Sequence, residues 1–249
     1  MAHVDYCGRM ADVYDAGRTL SGATVERWTA AARVHVDASA GPLLDLGAGT
    51  GRFSTALARG LGTPVVGLEP AEAMRARARS VAGTAVSLVG GSAESLPFGP
   101  ARFCGVWASQ VLHHVADLGA CTRELRRVLV PGGRVLVRGM FGPLEDRWPP
   151  APYFPDAVRI AADRFPPLAE ISDRFASAGM VVVAHEHIRQ VSAPDPESLV
   201  ERISLRADSG LALIDDDAFA LGLARLRRDV DDGVVSGPVS EVLDLVVYG

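Results

Sequence analysis

The stretch Leu43-Leu44-Asp45-Leu46-Gly47-Ala48-Gly49-Thr50-Gly51-Arg52-Phe53 decides how the rest of the chain is read. Leu43 to Leu46 form a short, mostly apolar run that passes directly into three alternating glycines. A buried parallel strand ending in a tight turn before a helix has this form. Glycine adopts dihedrals closed to other residues and lets backbone approach a ligand closely. The following helix start, Phe53 to Arg59, offers unpaired backbone N–H groups to that ligand. Nucleotide and dinucleotide sites share a GxGxG loop, so the loop predicts a ligand-binding turn and leaves the ligand open. The dinucleotide fingerprint requires a glycine where this chain has Arg52, which disfavours a nicotinamide cofactor.

Strand and helix signals alternate outward from this loop. Strands are predicted over Pro64 to Glu69, Ala85 to Val89, Cys104 to Ala108 and Arg134 to Met140. Helices are predicted over Ala71 to Val81 and Leu118 to Leu129, the latter with Leu118, Leu125, Val128 and Leu129 on one face. Pro131-Gly132-Gly133 reads as a turn. This order implies a parallel sheet covered by helices on both faces, with right-handed crossovers. Residues 1–40 have a helical pattern, broken by Gly17 and Gly22, and read as an N-terminal lid ahead of a ligand-binding core at 41–140.

From 141 to 167 the composition changes. Pro143, Pro149, Pro150, Pro152, Pro155, Pro166 and Pro167 fall here beside Trp148, Tyr153, Phe154 and Phe165. Prolines at this density argue against regular strands and long helices, yet the stretch is too apolar for a linker. It is expected to be a cap over the site, with Trp148, Tyr153 and Phe154 either lining an apolar pocket or packing the cap. Residues 168–249 return to the sheet. Helices are expected over Leu168 to Ala178, Pro196 to Ser209 and Asp215 to Val230, and strands over Met180 to Val191 and Glu241 to Tyr248.

The bulk numbers suit an ordinary globular protein. The chain has 249 residues, 48 % of them apolar and 22 % charged, with a formal net charge of -5. A mildly acidic chain without a basic run is poorly suited to a nucleic-acid backbone. No apolar run approaches the roughly 20 residues of a membrane span, and the N-terminus, with Asp5, Arg9, Asp12 and Asp15, has no signal-peptide pattern. Cys7, Cys104 and Cys121 are widely spaced and suggest neither zinc nor disulfides, which points to a reducing cytoplasm. The chain has no lysine and no asparagine, as GC-rich coding produces. A small-molecule partner is expected, with no nucleic-acid or membrane partner and with a homodimer left open.

Glu69 closes the second strand, where a carboxylate can accept hydrogen bonds from both ribose hydroxyls of a bound nucleoside. Together, Leu43 to Phe53, Gly67-Leu68-Glu69-Pro70, Gly91-Ser92-Ala93-Glu94-Ser95-Leu96-Pro97-Phe98 and Leu125 to Val137 resemble the class I S-adenosylmethionine-dependent methyltransferases, with the nearest likeness to their small-molecule, UbiE-like branch. The four motifs occur in the family's order across roughly residues 40–140. The resemblance implies a doubly wound α/β fold with a seven-stranded, mostly parallel, Rossmann-like sheet and an antiparallel last strand. It also implies a set of contacts to S-adenosyl-L-methionine. Asp45, Gly47, Ala48 and Gly49 would surround the methionine end, and Glu69 and Pro70 the ribose. Ser92, Ala93 and Glu94 would line the adenine, and Gln110 would border the methionine moiety. Tyr14 and Arg18, in Val13-Tyr14-Asp15-Ala16-Gly17-Arg18, match a segment that closes over the cofactor in relatives. The family pattern has Asp where this chain has Ser92, and Phe-Asp where it has Phe103-Cys104.

Methyl transfer from a sulfonium is an in-line displacement that needs alignment and, for some acceptors, a base. His113 and His114 follow the fourth strand, beside the position of the transferred methyl in the family, and are candidate bases together with Tyr14. Adjacent helical residues point in different directions, so at most one of the two histidines is expected to face an acceptor. The alternative is that both make structural hydrogen bonds at a helix start. His185 and His187 alternate on one strand face, but two imidazoles without a carboxylate nearby in sequence do not make a metal site, and no metal is expected. Arg202 and Arg206 share a helix face that reads as solvated, or as meeting an acidic acceptor group. The chain lacks the Asn/Asp-Pro-Pro-Tyr and Pro-Cys motifs of DNA methyltransferases. The expected activity is metal-free O-, N- or C-methylation of a small molecule. Two alternatives are a cofactor-binding protein that does not methylate and, less well supported, a nicotinamide-dependent reductase.

Overall fold

The computed structural model describes residues 20–249. Tyr14 and Arg18 lie outside these residues. Seven strands form a single sheet in the order β3-β2-β1-β4-β5-β7-β6. They are β1 (Leu43–Leu46), β2 (Val65–Leu68), β3 (Val86–Val89), β4 (Phe103–Ser109), β5 (Leu129–Gly139), β6 (Val182–Ala193) and β7 (Val239–Tyr248). β1 pairs in parallel with β2 and with β4, and β4 with β5, while β7 runs antiparallel to β5. The sheet is thus the seven-stranded, mostly parallel one expected, with β7 inserted between β5 and β6.

Contacts divide the chain into two units. One comprises Gly22–Gly139, Pro167–His187 and Asp244–Gly249; the other includes Met140–Pro166 and Ile188–Leu243. β6 and β7 contribute residues to both. In the first unit the central strands are apolar on both faces, as parallel strands covered by helices must be. Leu43, Leu44, Leu46, Val106 and Trp107 are all buried. Helix α1 (Gly22–His35) sends Trp28 and Ala32 inward; the Trp28 ring meets Trp107 edge-on at 6.2 Å. It packs closely on helix α2 (Arg52–Leu61), because a Cβ on Gly60 would fall 2.1 Å from Thr29 Cγ2. Among the described residues, this part of the expected N-terminal lid is a core helix of the first unit. Helices α3 (Glu72–Val81) and α4 (Leu118–Val128) complete the crossovers, α4 being capped by Asp117, whose side chain accepts from the Ala120 N–H at 2.9 Å.

The expected turn at Pro131-Gly132-Gly133 lies within β5. Phe103 pairs with Leu129 and Gly105 with Arg134, so the extra residues on β5 form a bulge, with Gly132 at φ +79°. The strand thus continues through the turn residues because its pairing resumes on the far side.

The proline-rich stretch also differs from expectation. It holds a regular helix, α5 (Pro155–Arg164), with Pro155 in its first turn, where a missing N–H costs nothing. Pro143 and Pro150 precede short 3₁₀ turns at Leu144–Asp146 and Ala151–Tyr153, Pro152 lies within the second, and Pro167 stands at the start of the next helix. Helix α6 (Leu168–Ser177) returns to the first unit. In the second unit, α5 shares a core with helices α7 (Pro196–Ser204), α8 (Ser209–Leu213) and α9 (Asp216–Asp231) through Phe154, Leu199, Ile203, Leu211 and Leu226. Phe154 is therefore a core residue. Tyr153 donates its hydroxyl to Asp229 at 2.8 Å. Arg206 braces the chain between helices, since its guanidinium donates to the Leu211 and Ile214 carbonyls and pairs with Asp216. Among the described residues no helix is long and apolar enough to cross a membrane.

Candidate active site

β1 ends where the strand order turns, with β2 on one side and β4 on the other. Ligands of open α/β sheets bind outside the strand ends at such a point. Gly47 and Ala48 both donate their N–H groups to the Leu68 carbonyl, at 2.8 and 3.0 Å, which turns the chain sharply. Gly47, Gly49 and Gly51 have φ of +67°, +56° and +78°, a region that penalises any Cβ. Their surroundings differ. A Cβ on Gly47 would fall 2.4 Å from Val111 Cγ2, and one on Gly51 would fall 3.1 Å from Ala78 Cβ. The outer glycines therefore allow close packing. Gly49 faces open space, with nothing within 4 Å of a Cβ placed there. Its backbone is the part of the loop a ligand can approach.

Glu69 is fixed against that open position. Oε2 accepts the Gly49 N–H at 3.0 Å and Oε1 accepts the Ala71 N–H at 2.9 Å. A carboxylate has about four acceptor positions, so each oxygen keeps capacity for a hydroxyl. Burial pushes the Glu69 carboxyl above its ordinary range, and the two N–H donors and Arg75 pull it back. Arg75 also donates to the carbonyls of Glu69 and Pro70, which fixes the turn after β2. The residues present thus fit a ribose diol.

Asp45 is buried within β1, 2 % exposed. Its Oδ2 accepts the Ser54 hydroxyl at 2.6 Å. Burial raises its carboxyl to about 7; the Ser54 hydrogen bond opposes this, the Glu69 charge adds to it, and Arg52 opposes it. A group with this pKa, one strand end from the loop, changes charge near neutral pH and responds to any cation bound beside it.

In the 91–98 loop, Ser92 donates its hydroxyl to Glu94, and Ser92 Oγ accepts the Glu94 N–H at 3.2 Å. Glu94 Oε1 accepts the Ala116 N–H at 2.9 Å. Burial alone would raise Glu94, but the Ser92 hydroxyl and the backbone donors outweigh it and hold the carboxyl below its ordinary range. The serine that replaces the family's Asp is thus tied to the loop's own glutamate.

Past β4, Gln110 adopts φ +55° and donates its N–H to the Arg138 carbonyl at 2.8 Å. This turn delivers Val111 against Gly47. His113 and His114 lie on a 3₁₀ turn, Leu112–His114, both half-buried. Their rings do not diverge: the centroids are 3.9 Å apart at 49°. The turn is too short to impose α-helical spacing, so the two imidazoles form one patch.

Three residues of this region escaped the sequence reading. Ser54 had a local signal, since it lies in the first helical turn after a buried Asp. Val111 had none, because only the fold brings it to Gly47. Arg138, 3 % exposed, lies under Trp28 at 4.6 Å and Phe53 at 5.3 Å and donates to Ser109 Oγ at 3.1 Å.

A family profile described as a methyltransferase domain matches residues 44–137. The chain is 32 % identical to the demethylmenaquinone methyltransferase of Clavibacter sepedonicus over 232 residues, covering 89 % of this chain and 86 % of that one. The chain belongs to the class I methyltransferases. This methyltransferase is also 28 % identical over 215 residues to the O-methyltransferase resE of Aspergillus sclerotiorum, covering 82 % of this chain and 78 % of that one. Its fold is similar to a solved structure from Anabaena variabilis, assigned as a methyltransferase of an antibiotic biosynthesis pathway. That match has a TM-score of 0.71 and 24 % identity, and covers 92 % of this chain and 99 % of the other. The methyltransferase is thus an enzyme of the S-adenosylmethionine-dependent, small-molecule class, which sets the nicotinamide reading aside.

Proposed function

We propose that this methyltransferase binds S-adenosyl-L-methionine in the Gly47–Gly51 loop and transfers its methyl to an oxygen, nitrogen or carbon nucleophile of a small metabolite. The observation that carries the reading is Glu69, whose two oxygens are oriented by Gly49 and Ala71 and retain capacity for a ribose diol. The bound sulfonium supplies an activated methyl, so the transfer step needs no metal.

The chain's own groups bind and orient. Gly49 gives backbone access. Asp45 responds to positive charge at the methionine end. Ser92, Ala93 and Glu94 form the loop that lines the adenine, and Gln110 borders the methionine moiety. Tyr14 and Arg18, outside the described residues, are the positions that the family likeness assigns to closing over the cofactor. One imidazole of the His113–His114 patch takes the acceptor proton where the acceptor must lose one. The demethylmenaquinone activity named for the Clavibacter relative and the O-methyl transfer named for the Aspergillus one favour a hydroxylated, largely apolar acceptor. The acidic chain, with net charge -5, disfavours a nucleic-acid acceptor. Buried free thiols at Cys104 and Cys121 suit a cytoplasmic enzyme.

The test is calorimetric titration with S-adenosylhomocysteine. Wild type should bind, and Glu69→Gln should bind about 10–100-fold more weakly, as expected for losing charge-assisted hydrogen bonds. No heat with wild type, or equal affinities, defeats the reading. A non-methylating role is separated by turnover: acceptor mass must rise by one methylene as S-adenosylhomocysteine accumulates.

A further inference from the structure

His185 and His187 are two residues apart on β6 and share a strand face. Their side chains are 34 % and 56 % exposed. The neighbouring strand supplies what the sequence around them lacks. Asp244 of β7 is fully buried, and its Oδ1 lies 2.8 Å from His185 Nε2 and 2.8 Å from His187 Nδ1. The three candidate ligand atoms lie within 4.8 Å of one another. The two ring planes stand at 63° with centroids 4.9 Å apart, so the imidazoles converge edge-on toward one point.

Metal–nitrogen and metal–oxygen bonds of about 2.0–2.2 Å place adjacent ligand atoms roughly 3 Å apart. The two histidine–aspartate spacings match this after opening by a few tenths of an ångström, and the two imidazole nitrogens, within 4.8 Å of one another, reach about 3.3 Å by rotation of their exposed rings. Two imidazoles and one carboxylate suit borderline transition-metal dications and not Mg²⁺ or Ca²⁺, which prefer oxygen. The buried carboxylate supplies charge and a fixed anchor, since Asp244 is held in the β5–β7 ladder opposite Gly139. The exposed imidazoles leave the remaining coordination positions to water. Two ligands come from the edge strand and one from its neighbour.

We propose that His185, His187 and Asp244 form a binding site for a transition-metal dication of the Zn²⁺ type, which pins the edge strand β6 to β7. β6 lies four strands from β1 in the sheet order, about 19 Å at the usual strand spacing. The ion therefore acts on the fold and not on the transferred methyl, and the proposal stands independently of the cofactor reading.

The experiment uses the full chain without a polyhistidine tag, stripped with a chelator and titrated calorimetrically with zinc chloride, with melting followed in parallel. Wild type should take one Zn²⁺ per chain, melt at a higher temperature with Zn²⁺, and respond far less to Mg²⁺. His187→Gln replaces a largely exposed side chain and should fold. It should lose at least about 10-fold in Zn²⁺ affinity, together with the melting shift, while keeping wild-type affinity for S-adenosylhomocysteine. Asp244→Asn should lose Zn²⁺ as well, but Asp244 is a buried strand residue, so His187→Gln is the deciding variant. The His113→Gln/His114→Gln double variant should bind Zn²⁺ like wild type. The proposal is overturned by wild type that takes no Zn²⁺ at about 100 μM, by unchanged affinity in His187→Gln, or by Mg²⁺ binding equal to Zn²⁺. Loss of Zn²⁺ from the His113/His114 variant would overturn it too.

Discussion

Asp45→Asn isolates the cost of keeping a carboxylate inside the first strand. Burial raises the Asp45 carboxyl from its ordinary 3.8 to about 7. Below 3.8 both the folded and the unfolded chain hold the proton, and the side chain adds no pH dependence. Between 3.8 and 7 the folded chain holds a proton the unfolded chain has lost. Stability therefore falls as pH rises through this window and levels off above it. At about 1.4 kcal/mol per pH unit, the full cost above neutrality is roughly 4 kcal/mol. Asparagine has the same shape, accepts the Ser54 hydroxyl through its amide oxygen, and does not titrate. Other titrating groups are common to both proteins and cancel in the difference. Urea midpoints at pH 5 and pH 8 should show the variant gaining about 2–3 kcal/mol on wild type, near 1 M in midpoint at the slopes usual for such chains. A constant offset set by the amide's own hydrogen bonding leaves this gain unchanged. A stability difference that does not grow between the two pH values refutes the argument that burial governs Asp45.

The glycine loop and the thiols give further predictions. Gly47→Ala places a Cβ 2.4 Å from Val111 Cγ2 at φ +67° and should weaken S-adenosylhomocysteine binding at least about 10-fold. Adding Val111→Ala should recover part of the loss, because it removes the 2.4 Å overlap with Cγ2 and leaves a tight 3.0 Å contact with the residue's Cβ and the backbone cost; identical titrations of the single and double variants would show that the contact does not matter. Cys104 and Cys121 have thiols pushed up by burial to about 11 and about 12. Peptide mapping after brief alkylation at mildly alkaline pH should find both unmodified in the native chain and both modified in denaturant. Rapid native labelling at both positions would contradict their burial.

The site was legible where its chemistry is local. The glycine loop, Glu69 at the next strand end and the 91–98 loop are contiguous motifs, and their residue types follow from what backbone and carboxylate must do there. Most strand and helix positions followed from apolar runs and caps to within a residue or two, but the helix expected over Pro196 to Ser209 ends at Ser204 and a second begins at Ser209, and the strand expected from Arg134 begins at Leu129. One misreading came from a neighbour distant in sequence and two from local geometry. Pro131-Gly132-Gly133 has turn chemistry, but β4 pairs with β5 on both sides of it and keeps it within the strand. The number of prolines in 141–167 points to irregular chain, but position decides, and Pro155 at a helix start is favourable. The histidine pair was expected to diverge, yet a three-residue 3₁₀ turn brings its rings together.

The sequence by itself determined the order of strands and helices, the glycine turn after β1 and the family, because these depend on dihedral preference, hydrophobic period and motifs spanning a few residues. Tertiary structure alone decided which side chains meet across the sheet. Asp244 is 59 residues from His185 along the chain, and their contact at 2.8 Å exists only because β7 lies between β5 and β6. Strand insertion of that kind is set by burial of the whole sheet, to which every element contributes. Two histidines and a distant aspartate carry no sign of it until the chain has folded.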